Sequence, residues 1–157
     1  MRGLLFLSIV ALAGCARSAV DLGLVDRRLV PCPRTPNCVS TQEERCGVEP
    51  LRYEGSRDAA RRRLVEVLDA MPGGRTVTVA SDYVRAEFTS STFRFVDDVE
   101  AYLDPREPVI HLRSGARSGI WDLGVNRRRL EEIRSRFEAV ESAAARLQNA
   151  PPKGASR

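Results

Sequence analysis

With 157 residues, 43% of them apolar and 29% charged, the chain has room for one domain with a core of ordinary size. Those proportions exclude a disordered or fibrous protein. The formal net charge is +4, and Lys153 is the sole lysine, so arginine supplies nearly all the positive charge. Arginine presents a planar fork that takes carboxylate or phosphate through paired hydrogen bonds. A GC-rich codon bias is the better account of the total, so only clusters of arginine carry weight.

Residues Met1 to Gly14, MRGLLFLSIVALAG, read as a signal peptide. Arg2 supplies the leading charge, and Leu4 to Leu12 form an apolar run too short for a permanent membrane helix. Leu12-Ala13-Gly14-Cys15 resembles the lipobox of bacterial lipoproteins. The resemblance implies removal of the signal before Cys15, lipid on its sulfur and acylation of the new amino terminus. More than one acyl chain gives stable anchoring. Ala16 rather than aspartate follows the cysteine, a pattern that in such lipoproteins accompanies export to the outer membrane. The expected location is therefore the periplasmic face of that membrane; a simple membrane anchor or a cleaved secretory signal is the alternative. Export also disfavours nucleic acid as a partner, despite the basic charge.

The expected layout is a lipidated tether over residues 15–30, one globular domain over 31–147 and a disordered tail over 148–157. Cys32, Cys38 and Cys46 remain in the body, in a compartment that oxidises thiols. Within CPRTPNC two prolines stiffen a short loop, and Cys32 with Cys38 is the preferred pair, contributing about 2 kcal/mol in the chain-entropy model. Zinc is disfavoured, because the spacing is not a usual ligand pair and His111 is the sole histidine. No cofactor is expected. Pro31 to Ser40 is too rich in proline for helix or central strand and should lie across the domain as an ordered loop.

Ser56 reads as the cap of a first helix, with Ala60, Leu64, Val67, Leu68 and Met71 on one face and Pro72-Gly73-Gly74 ending it. Four strands follow: Thr76 to Ala80, Tyr83 to Thr89, Phe93 to Leu103 and Pro108 to Ser114. Val77, Val79, Val84, Ala86 and Phe88 are expected on the inner face. Connections this short force antiparallel neighbours. A final helix is expected from a cap near Asn126, with Leu130, Ile133, Phe137, Val140, Ala144 and Leu147 as its apolar stripe. The fold expected is α+β: a four-stranded antiparallel meander with both helices on one face, in the order helix, four strands, helix. The Pro/Cys-rich loop precedes it.

Asp97 is anomalous, since strict alternation puts it on the apolar side, where it must be bulged out or held by a partner. Setting Ala101 opposite Ile110 places Asp98 opposite Arg113 and Asp97 opposite Ser114. Arg113, Arg117 and Arg127 to Arg129 then share one charged neighbourhood with Asp97, Asp98 and Asp122, at the start of the last helix. Three arginines at a helix start oppose its dipole unless something negative lies nearby. Either these groups satisfy one another, or guanidinium forks and bare N–H groups accept a phosphate or carboxylate. Ion-pair networks without a ligand are common, which favours the former.

CPRTPNCVS, FRFVDDVEAYLD and LRSGARSGIWDLGVNRRRLEEIR, in that order, resemble the signature blocks of the family called domain of unknown function 1499. The blocks cover most of Pro31 to Arg136. Thr35 and Thr41 stand where serine is usual, Gly115 where alanine is usual, and Ala116 where serine is usual. Cys46 matches nothing in the blocks, which leaves it as the unpaired thiol. The resemblance implies a candidate ligand set of Asn37, Asp97, Asp98, Arg113, Ser114, Arg117, Asp122, Asn126 and Arg127, and no activity. The expected function is a non-catalytic envelope lipoprotein, held to the membrane at Cys15, that binds an anionic small molecule or an envelope protein. The alternative is an envelope hydrolase of phosphorylated or lipid-linked substrates with Asp97 or Asp98 as base. No nucleophile motif, histidine cluster or phosphate loop supports it.

Overall fold

Ser56 accepts a hydrogen bond from the amide of Ala59 (3.2 Å) and so opens α1 (Arg57–Ala70), with Asp58 in its first turn. Ala60, Leu64, Val67 and Leu68 are buried along one face, and Met71 closes it. The chain then turns at Gly73, whose φ is +75°, directly against the backbone of Thr89. A side chain at that point would strike the Thr89 carbonyl. The computed structural model describes residues 22–148. The expected signal peptide, Cys15 and residues 149–157 lie outside them.

The expected meander forms as β5 (Gly74–Val79), β6 (Tyr83–Thr89), β7 (Val96–Leu103) and β8 (Val109–Ala116), but it is not the whole sheet. Two further strands, β3 (Cys38–Ser40) and β4 (Leu51–Arg52), both pair antiparallel with β8. The sheet therefore has six strands, in the order β3-β8-β7-β6-β5 with β4 beside β3 on β8, which corrects the four-stranded expectation. The physical cause is the open edge of β8. Its unpaired N–H and C=O groups would face water or another chain, and the proline-rich segment supplies the strand that covers them. Strands of two or three residues are too short to show alternation, so nothing in the pattern announced them.

A second correction concerns the tether. Leu24–Val25 (β1) and Arg28–Leu29 (β2) form a separate two-stranded hairpin, and Leu29 is 3% exposed. From residue 22 onward the expected tether is thus part of the folded unit. The hairpin lies on the sheet face away from the helices, where the Gly23 amide donates to Glu100 at 2.5 Å.

α2 (Val125–Gln148) packs Leu130, Ile133 and Phe137 against β8 and α1, while Val140 is 36% exposed, outside the core. With α1 these residues cover Val84, Ala86, Phe88, Val99, Ala101, Leu103, Ile110 and Leu112 on the inner sheet face. β5 is irregular between Thr76 and Thr78, and Val79 at its end is 54% exposed rather than core. β7 begins at Val96, not Phe93, because the chain first makes a loop in which Arg94 adopts φ +53° and Ser90 bonds to the amides of Arg94 and Phe95.

The register of β7 on β8 is shifted by two residues from the expected one. Ala101 lies opposite Leu112 and Leu103 opposite Ile110. The expected pairing would have drawn Pro108, which has no N–H, into the ladder opposite Leu103; the chain keeps it in the turn. A shift of two preserves which residues face inward and changes only their partners. Asp98 thus lies opposite Gly115, Asp97 opposite Ala116, and Glu100 opposite Arg113.

His111 is half-buried on the outer face, its ring stacked on Tyr102 with centroids 6.2 Å apart. Burial holds its pKa below the usual histidine value of 6.5. The unfolded chain therefore takes up the proton first. Stability is fully present above pH 6.5 and falls as pH drops through the histidine range. Thermal melts between pH 7 and pH 5 should show this loss, and His111→Gln should remove that part of it; an equal slope in the variant would exclude His111 as its source.

Candidate functional site

Adjacent residues of a strand point to opposite faces, so Asp97 and Asp98 belong to two separate polar clusters with the sheet between them. The single charged neighbourhood expected from the sequence does not form.

On the helix side, Asp97 receives Arg129 of α2 at 2.8 Å. There is no bulge at Asp97-Asp98; a partner holds the carboxylate. The same guanidinium lies 4.9 Å over the Phe88 ring and donates to Asn126 Oδ1 at 2.7 Å. Ser114 Oγ donates to that oxygen at 2.5 Å, and Asn126 Nδ2 donates to the carbonyl of Asn37 (3.1 Å) and to Asp122 (2.8 Å). Asn126 is fully buried within the first turn of α2, not its cap. Asp122 takes the capping part, accepting from the amides of Gly124 (2.9 Å) and Asn126 (2.8 Å). Burial pushes the Asp122 carboxyl up, but the bonds from Asn126 and Gly124 outweigh it and hold it below the usual carboxylate range. Asn37 Nδ2 donates to the carbonyl of Gly119 at 2.7 Å. Together these contacts tie the entry to β3, the end of β8 and the start of α2 to one another, and α2 to β6 and β7.

On the outer face, Arg113 and Glu100 form a pair at 2.5 Å with side chains 3% and 0% exposed. The other Glu100 oxygen accepts from Tyr83 Oη at 2.7 Å and from Gly23. Burial, then the Glu100 bond, drives the Tyr83 phenol well above its ordinary value. Arg117 grips Asp98 with Nε at 2.6 Å and a terminal nitrogen at 2.7 Å, and Arg85 adds a third contact at 2.9 Å. Arg117 also reaches Glu87 at 2.6 Å, holding that carboxyl below its usual range. The disulfide Cys32–Cys38, with Cα atoms 5.6 Å apart, lies over Gly115, where an added Cβ would sit 3.1 Å from Cys38 Sγ. Cys46 is a buried free thiol.

Of the expected set, Asn37, Asp97, Ser114, Asp122 and Asn126 therefore come together on one side, and Asp98, Arg113 and Arg117 on the other. Arg127 joins neither; it donates to the carbonyl of Cys46. Glu100 and Arg129 hold the two clusters and were not assigned those parts. Glu100 occupied an outward position of an alternating strand, and Arg129 was one of a run of three. Neither aspartate is free to act as a base, since Asp98 is 1% and Asp97 9% exposed and both are occupied by guanidinium.

Unsatisfied positive charge lies elsewhere. A hollow of about 640 Å³ opens between the β6–β7 loop and the first turns of α2, lined by Phe88, Ser90, Ser91, Arg94, Arg128 and Arg129 among others. Arg94 and Arg128 pair with no carboxylate among the described residues; Arg128 donates to the carbonyl of Leu123 at 2.9 Å. Glu132, on the same rim, is bound by Arg136 at 2.7 Å. A second hollow, of about 730 Å³ at the other end of the sheet, is rimmed by Asp26, Glu43, Glu44, Glu49, Asp104 and Glu107 with fewer arginines. Its balance is wrong for an anion.

The fold and these two clusters define a mixed α+β domain whose strand-to-helix junction is locked by internal ion pairs and amide bonds. The chain belongs to the family described as a protein of unknown function, DUF1499, which matches residues 28–137. No curated protein matches it.

Proposed function

We propose that this protein is a non-catalytic binding domain of the cell envelope, tethered through lipid at Cys15, that takes an anionic ligand in the hollow beside α2. One observation carries the anion assignment: Arg113, Arg117 and Arg129 are each neutralised within the domain, whereas Arg94 and Arg128 line the hollow and pair with no carboxylate among the described residues. The candidate ligand residues named from the sequence then hold the hollow's walls in place rather than touch the ligand. The lipobox supports the tether.

Inorganic phosphate, compared with chloride at equal ionic strength, should raise the melting temperature by a few degrees. Tenfold excess over Kd corresponds to about 1.4 kcal/mol. Arg94→Ala with Arg128→Ala should abolish the rise and leave the phosphate-free melt unchanged, since both side chains are exposed. An equal rise in the double variant rejects the hollow. Palmitate incorporation that survives Cys15→Ser rejects the tether.

A further inference from the structure

The end of the sheet that carries this hollow also carries the largest group of exposed apolar side chains among the described residues. Phe93 and Phe95, in the β6–β7 loop, are 73% and 58% exposed and stack with centroids 5.8 Å apart. Ile120, Trp121 and Leu123, in the β8–α2 loop, are 71%, 71% and 66% exposed. The two loops are neighbours: the Arg117 amide donates to the Val96 carbonyl at 3.3 Å. The β6–β7 loop lines the hollow together with the first turns of α2, into which the β8–α2 loop leads. Scattered exposed apolar residues are normal, but such side chains gathered on two adjoining loops mark an interaction site.

We infer that this two-loop tip docks on an anionic phospholipid surface, with Phe93, Phe95, Ile120, Trp121 and Leu123 entering the interface and Arg94 and Arg128 taking lipid phosphates. Tryptophan and phenylalanine with flanking arginine suit that boundary, because the rings favour the headgroup level and arginine keeps its charge at the phosphates. Charge complementarity selects the surface. Among the described residues the cations beside the apolar side chains have no carboxylate partner, Asp122 is occupied by Gly124 and Asn126, and Glu132 by Arg136. Reach is sufficient as well. Cys15 and Gly23 are eight residues apart in sequence, at most about 28 Å of chain. Gly23 is bonded to Glu100, four residues along β7 from Val96 where the tip begins, about 13 Å. The inference rests on the anion-binding hollow and the tether proposed above, and names the ligand as a headgroup held within a bilayer.

Trp121 is the only tryptophan in the chain, so its emission reports on the tip alone. The test uses the mature-length chain from residue 16 onward, which carries neither the apolar signal nor the acyl anchor, and phosphatidylcholine vesicles with or without phosphatidylglycerol. With phosphatidylglycerol the emission should shift to the blue and be quenched by brominated acyl chains; with phosphatidylcholine alone it should not. Phe93→Ser with Phe95→Ser should weaken vesicle binding at least tenfold, and Arg94→Ala and Arg128→Ala about fivefold each. No shift with either vesicle overturns the docking. So does an equal shift with both, or a shift that grows with protein concentration without lipid, which would mean the tip pairs with a second copy. A phosphate-dependent melt without any vesicle response leaves the hollow standing and removes only the membrane; loss of both removes the shared reading.

Discussion

Arg113→Ala should cost about 3–5 kcal/mol of stability in urea unfolding, the largest loss expected from any single charged residue here. The change leaves Glu100, 0% exposed, without its cation in the middle of the outer face. Tyr83 and the Gly23 amide would still donate to it, but neutral donors do not replace a guanidinium at 2.5 Å. Tyr83→Phe, which removes one neutral donor, should cost only about 1 kcal/mol. The pair itself is a different matter, because two buried charges lose much of their hydration and gain little net stability. Glu100→Leu combined with Arg113→Met should therefore recover most of the loss. A single-variant loss below 1 kcal/mol would show that water enters beneath the hairpin and solvates the carboxylate. Net stabilities of domains are only about 5–15 kcal/mol, so Arg113→Ala removes a large share.

The second large effect is expected at Asn126, whose replacement by alanine should cost about 3 kcal/mol. The side chain accepts from Ser114 and Arg129 and donates to Asn37 and Asp122, all within the buried junction of β3, β8 and α2. Each net bond is worth about 1 kcal/mol, and every partner left buried and unpaired adds to the cost. Amide exchange should quicken at Cys38–Ser40, since the Asn37 carbonyl loses one of its two donors. Asn126→Asp should be no milder, because it sets a second carboxylate beside Asp122. Arg127→Ala is the control one residue along. That side chain, only partly buried, makes its one bond to the carbonyl of Cys46, and its loss should stay under about 1 kcal/mol. Equal losses at 126 and 127 would mean that the helix start, not the amide network, holds the junction.

Features that repeat along the chain were legible in advance. α1 and its Ser56 cap, the inward residues of β6, and the Leu130, Ile133 and Phe137 positions of α2 stand where periodicity places them. The Cys32–Cys38 pairing was legible from the stiff loop between the cysteines. β3 and β4 were not, since two or three residues carry no period and the edge they fill belongs to β8. The partner of Arg113 was missed through a register error of two, which leaves every inward residue inward and so raises no conflict in the hydrophobic pattern. One misreading was avoidable. Asp97 and Asp98 are neighbours in a strand, and pleating alone sends them to opposite faces. Grouping them as one acidic pair required a bulge that the strand does not have. Arg129, the cation that holds Asp97, lies in a different element, and alternation says nothing across elements.

The hairpin that covers Glu100 has a mechanical consequence. Any load arriving along the chain from its N-terminal side meets the Gly23–Glu100 bond and two strands of two residues each before it reaches β7. A hairpin that short yields pair by pair rather than in shear. Its first casualty would be the shield over a buried ion pair, so the sheet's outer face becomes wet while the core between sheet and helices stays dry. A protein fastened by its leading end would thus carry its weakest joint directly beside the anchor.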